Sequence, residues 1–152
     1  MKSVFTGTSH RLRNHFTSNN QDLEIRPTTG YNADVTDPRV TRCLPPGAGD
    51  IVLRSERGGH FARYMVSEKD FHHFLDGLWE TNKDSSAHRR EQMHGEGETV
   101  EQEQMAKRFK PLGWKPLENA VQYYGPSKAS GAMTTYYFDR EAGIAYHDTA
   151  YW

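Results

Sequence analysis

Residues 134–152, "TTYYFDREAGIAYHDTAYW", decide the fold, because the way their two halves fold back on each other selects the side chains that enter the core. Runs rich in Thr, Tyr, Phe and Ile flank "DREAG", the composition of two strands around a turn. Pairing Phe138 with Ile144 across that turn puts Tyr136, Phe138, Ile144 and Tyr146 on one face, suited to a core. Thr135, Tyr137, His147, Thr149 and Tyr151 then fall on the opposite, outward face. Tyrosine combines a flat apolar body with a polar tip, so Tyr137, His147 and Tyr151 are candidate binding residues. His147 and Asp148 point to opposite sides of the sheet. They are no catalytic dyad on their own, since a base needs its carboxylate within hydrogen-bond reach.

A second hairpin is legible at 50–66, "DIVLRSERGGHFARYMV", where two β-rich runs surround Gly58-Gly59, a pair able to take positive φ. That turn places Ile51, Leu53, Ala62, Tyr64 and Val66 inward and Val52, Arg54, Glu56, Phe61, Arg63 and Met65 outward. It sets Arg54 opposite Arg63, a like-charge pair relieved by Glu56 or by an acidic partner. Both arginines join the candidate binding residues.

Between the hairpins, "SEKDFHHFLDGLWE" (67–80) starts at a capping Ser67 with Asp70 at the third position. Phe71, Phe74, Leu75, Leu78 and Trp79 follow helical spacing, which predicts one apolar stripe packed on the core face of the first hairpin. On the same helix Glu68, His72 and Asp76 lie one turn apart and are candidate metal ligands, whereas His72 and His73 diverge by about 100° and cannot share an ion. The polar segment 83–110 reads as a loop over 83–98, with a helix from Val100 to Phe109. Within that loop "HRREQMHGEGE" holds His88, His94, Glu96 and Glu98 at spacings that match no zinc template. Next, "GWKPLENAVQYYGPS" (113–127) reads as a short helix, with Pro116 in its first turn and Leu117, Val121 and Tyr124 on one side. Residues 1–50 show no sustained periodicity and read as an irregular N-terminal arm.

Composition narrows the function. Residues 1–50 carry six basic and five acidic side chains and residues 83–110 carry six of each, in a chain of net charge −1. No basic patch exists to hold duplex nucleic acid or an anionic membrane. Cys43 is the one cysteine, which excludes an internal disulfide and paired-cysteine zinc sites; zinc through histidine and carboxylate remains open, and no other cofactor is predicted. No apolar run approaches the length of a spanning helix, and no signal-peptide core follows the N-terminus, so a soluble chain is expected. Motifs for a nucleophile elbow, a phosphate loop, a dinucleotide fold and an H-E-x-x-H zinc helix are all missing.

The order of elements near the end, a helix closing in "YYGPS" followed by "GAMTTYYF", a turn and "GIAYH", is similar to the helix-then-hairpin ending of small envelope lipoproteins that scaffold outer-membrane assembly. The likeness covers about the last forty residues and implies a binding scaffold. The sequence therefore predicts a single α+β domain over 51–152, preceded by the irregular arm 1–50. Two hairpins form a small antiparallel sheet, with two or three short helices on one face. The expected role is a non-enzymatic interaction module that holds a protein partner or another copy of itself through outward aromatic and arginine side chains. A histidine-dependent enzyme or metal-binding protein is the alternative.

Overall fold

The turn after Asp139 organises the structure, a computed structural model that describes residues 37–151 apart from 94 and 129. Asp139 Oδ1 accepts from the backbone N–H of Glu141 at 3.0 Å and of Ala142 at 3.1 Å, while Oδ2 accepts from Asn119 N–H at 3.2 Å. An aspartate that captures the backbone two and three residues ahead closes a tight turn. Gly143 completes it at φ 64°. The loop is therefore Arg140–Gly143, and Asp139 itself, paired with Ile144, is the last residue of its strand.

Six strands form one antiparallel sheet: β1 (Gly49–Glu56), β2 (Gly59–Met65), β3 (Glu98–Thr99), β4 (Ala120–Tyr124), β5 (Met133–Asp139) and β6 (Ile144–Ala150), in the order β1-β2-β6-β5-β4-β3. Helices α1 (Pro38–Thr41), α2 (Glu68–Asn82), α3 (Arg90–Met93) and α4 (Gln102–Phe109) complete an α+β architecture. Among the described residues no helix is long and apolar enough to cross a membrane.

The Asp139 turn corrects the register expected from sequence. Phe138 pairs with Ala145, and Tyr136 with His147. A slip of one residue exchanges the faces of a strand. Ile144 and Tyr146 consequently lie with Tyr137, and His147 joins Tyr136 and Phe138.

In the first hairpin the turn is Arg57-Gly58, with Gly58 at φ 87°. Gly59 is the first residue of β2, and a Cβ there would collide with the carbonyl oxygen of Thr149 on β6. Gly58 thus supplies conformation and Gly59 supplies space. Because the pairing moves by two residues, the inward and outward sets survive, but Arg54 faces Phe61 and Arg63 faces Val52. The directly opposed arginine pair is not formed.

Helices cover both faces of the sheet, not one. On the first face, α2 starts at Ser67, whose Oγ accepts from Asp70 N–H at 3.1 Å, and its Phe71 stacks on Phe138 at 4.5 Å between centroids. Phe71 also meets Tyr123 and Tyr136 edge-on, so its aromatic contacts with the sheet lie on β4 and β5. On the second face, α4 inserts Met105 and Phe109 among Trp114, Leu117, Ala120, Tyr137 and Tyr146. Near-continuous burial along β5 and β6 reflects this double cover.

Two other sequence expectations change. Residues 120–124 form β4, paired with β5 on one side and β3 on the other. The helical spacing of Leu117, Val121 and Tyr124 was coincidental; a β-branched and aromatic run beside an open strand edge pairs instead. With that helix gone, the helix-then-hairpin likeness to envelope lipoproteins lapses. The 83–98 segment contains α3, with Met93 buried, and the first residue of β3. Of the expected arm, residues 1–36 lie outside the described residues. From 37 onward Asp37 caps α1 through Arg39 N–H at 2.9 Å, and Val40, Leu44 and Ala48 enter the same core cluster as α2.

Candidate functional site

Period-two alternation gathers polar side chains at one end of the α2 face. His60 on β2, Thr149 on β6 and Thr134 on β5 are cross-strand neighbours, and His147 follows one step along. His60 is 2% exposed and His147 is fully buried. Their Nε2 atoms lie 2.8 Å apart, with the rings edge to face. His60 Nδ1 meets the Tyr151 hydroxyl, and His147 Nδ1 meets the Tyr64 hydroxyl at 3.5 Å. Four side chains thus form a chain from half-buried Tyr151 to fully buried Tyr64.

Burial lowers the pKa of His60 to about 4; Asp37 opposes this, and Arg39 and Arg42 reinforce it. Burial also drives His147 well below its ordinary value, and His60 adds to the effect. Both rings are neutral at physiological pH, each with one N–H. When Tyr151 donates to His60, His60 Nε2–H donates to His147, and His147 Nδ1–H donates to Tyr64. Reversing every bond satisfies the groups equally well. In either direction both rings and both phenols stay neutral, so the network holds no buried charge, which is the condition for keeping it. A pKa near 4 leaves His60 a weak proton acceptor at pH 7.

The segment around α1 closes over this end. The Arg39 guanidinium lies 4.8 Å from the centroid of the Tyr151 ring and is paired with Asp37 at 2.8 Å. Cys43 Sγ contacts Arg39 O at 3.4 Å and Thr134 Oγ1 at 3.5 Å, and Thr134 meets Thr149 at 3.0 Å. Tyr136 donates to Cys43 O at 3.1 Å. The Cys43 thiol is buried.

Of the residues marked from sequence, the structure brings His147 and Tyr151 to this site and disperses the others. Tyr137 is 7% exposed, packed edge-on against Phe109 at 5.3 Å, so it is not an outward anchor. Burial, with Asp148 nearby, pushes its phenol up to about 12. His147 is likewise inward. Arg63 is half-buried, with its guanidinium 5.8 Å from the Trp114 ring centroid, and Arg54 is half-buried on β1. Asp148 faces the α4 side and is paired with Arg108.

Glu68 reaches Arg140 at 2.9 Å and His72 at 3.9 Å. The Glu68, His72, Asp76 stripe assembles no metal site: among the described residues no group of three or more His, Cys, Asp or Glu side chains could hold an ion. His88 bonds Gly125 O at 2.9 Å, and His94 lies outside the described residues.

His60 is not among the residues marked from sequence, because its meeting with His147 depends on how the two hairpins pair. The signal was present, since His60 shares its parity with the inward Ala62 and Tyr64. No known protein family, curated protein or solved structure matches this chain.

Proposed function

We propose that the protein is a non-enzymatic interaction module that holds a polypeptide strand, from a partner or from a second copy, along the outer edge of β1. One observation carries the reading: β1 is an eight-residue edge strand, and among the described residues no strand pairs with its outer side. Exposed edges of this length template strand addition, with main-chain hydrogen bonds supplying affinity. The opposite edge is the two-residue β3, too short for the purpose. Both sheet faces are covered, so the edge replaces the outward aromatic face as the contact surface. Beside it, half-buried Val52 and Phe61 and the 48% exposed Met65 favour a strand with apolar side chains on the α4 side.

Hydrogen exchange on the full chain tests this. Outward amides of β1 exchange quickly at low protein concentration while those of β2 are slow, and they gain protection on self-association or on binding an extended peptide. Val52→Lys, which puts a charge on the edge, removes that gain. Protection of every β1 amide independent of concentration overturns the reading, because the edge is then already occupied.

A histidine-dependent role is the second reading, favoured by the His60–His147 contact. Imidazole resonances followed through a zinc titration test its metal-binding form. Joint shifts of His60 and His147 with one equivalent of zinc support it, and two unresponsive rings remove metal binding.

A further inference from the structure

A cavity of about 290 Å³ opens on the α2 face beside the polar end of the sheet. Buried Cys43, Thr134, Tyr136 and Thr149 form its inner wall, and exposed Arg42 and Lys128 stand at its rim. The inner polar groups are already bonded to each other or to backbone: Cys43 with Thr134, Thr134 with Thr149, and Tyr136 with Cys43 O. On the α2 side Thr81 donates to Gly77 O at 2.9 Å and Asn82 to Leu78 O at 2.9 Å. A ligand entering this space meets few unsatisfied partners inside, and it meets apolar surface from Leu78, Ala132 and Met133. Its polar group has to be recognised at the rim.

Charge settles the sign of that group. Among the described residues no aspartate or glutamate lines this cavity, while two cations do. The groove beside Ile144 and Tyr146 differs, with Asp50, Glu118, Asp139 and Glu141 outnumbering Arg63 and Lys115 on its wall, as does the one beside His72, with Glu96, Glu118 and Glu141 against Arg140. The volume lies at the lower end of ligand pockets, which run from about 300 Å³ upward, and suits a small ligand. We propose that this cavity binds a small organic monocarboxylate, its aryl or short acyl body against Met133 and Leu78 and its carboxylate between Arg42 and Lys128. This site is independent of the β1 edge, and either can fail without the other.

The test is an NMR titration of the full chain with benzoate, its neutral isostere benzamide, and acetate, read at the Met133 methyl and the Thr134 and Thr149 amides. Benzoate produces saturable shifts, and benzamide and acetate each bind about tenfold more weakly, as loss of a charge-assisted contact or of the apolar body requires. The double variant Arg42→Gln/Lys128→Gln, at two exposed positions, keeps the fold and lowers benzoate to the level of benzamide. Ala132→Phe, which fills the cavity, abolishes binding of both. Equal affinity for acid and amide, benzoate shifts that survive the double variant, or no saturable shift at all overturns the proposal. Acetate matching benzoate overturns it too, since a simple anion contact then accounts for the binding.

Discussion

The two faces of the sheet solve the same packing problem with different chemistry. Under α4, aromatic rings fill the core: Phe109 meets Tyr146 at 4.9 Å and stacks near Trp114 at 6.1 Å, and an ion pair, Arg108 with Asp148, sits partly exposed at the rim. Under α1 and α2 an equally apolar half, centred on Phe71 and Phe138, adjoins a buried polar end built on His60, His147, Thr134 and Thr149. The contrast separates stability from specialisation. A polar network of that kind adds little net free energy over an apolar packing of the same shape, so its presence on one face marks where the molecule departs from packing alone.

The largest effect tests whether the faces are equal where both are apolar. Phe71→Ala and Phe109→Ala should each cost about 3–5 kcal/mol in urea unfolding, as for other buried phenylalanines. A much smaller loss for either would show that its helix is a loose cover and not half of the core.

Acid should then split the faces. The folded pKa of His60 is about 4 against an ordinary 6.5, and that of His147 is also lowered. The unfolded chain takes up these protons first, so stability is fully present above pH 6.5 and is lost as pH falls toward 4, by about 3 kcal/mol from His60 alone. Asp148 on the other face acts with opposite sign: burial raises its pKa despite Arg108, so its contribution is present at acid pH and lost as pH rises through the folded value. Unfolding measured from pH 7 to 4 in the wild type and in the variant His60→Phe/His147→Phe checks the first claim. A wild-type profile that stays flat, or a variant profile just as steep, would locate the acid sensitivity elsewhere.

A smaller effect concerns the seam that joins the first hairpin to β6. Gly59→Ala forces a side chain against the Thr149 carbonyl and should cost about 1–3 kcal/mol. Gly58→Ala meets no neighbouring atom and carries the strain of a positive φ alone, about 1 kcal/mol. Thermal denaturation of the two variants ranks them, and a reversed order would mean that the turn is Gly58-Gly59 after all. The smallest effect is expected from Arg108→Gln, no more than about 1 kcal/mol, because that guanidinium is half exposed and Asp148 can take up a proton in its absence. Urea titrations at low and high salt would measure it.

Much of the first face is legible in the chain. The α+β class and the amphipathic stripe of α2 follow from strand-forming composition and from the spacing of Phe71, Phe74, Leu75 and Leu78. The inward set of the first hairpin followed as well, despite a misplaced turn, since a register error of two leaves parity intact. The terminal hairpin was less forgiving. There a single residue, Asp139, counted as turn instead of strand, sent Tyr137 and His147 to a surface they do not occupy. Residues 120–124 were misread because a five-residue run can match helical and strand spacing alike, and the available partner edge is what decides.

By itself, then, the sequence determined the α+β class, the helix α2, the even charge, the lack of a second cysteine and the alternation that puts His60 with Ala62 and Tyr64. Those properties are local, carried by near neighbours along the chain. Tertiary structure alone decided that β6 lies between β2 and β5, that helices cover both faces, and that His60 meets His147 across 87 positions of sequence. Such contacts depend on strand order and on register to the single residue. Both are set by side chains that capture backbone at one turn, such as Asp139, and by the space a glycine leaves, such as Gly59.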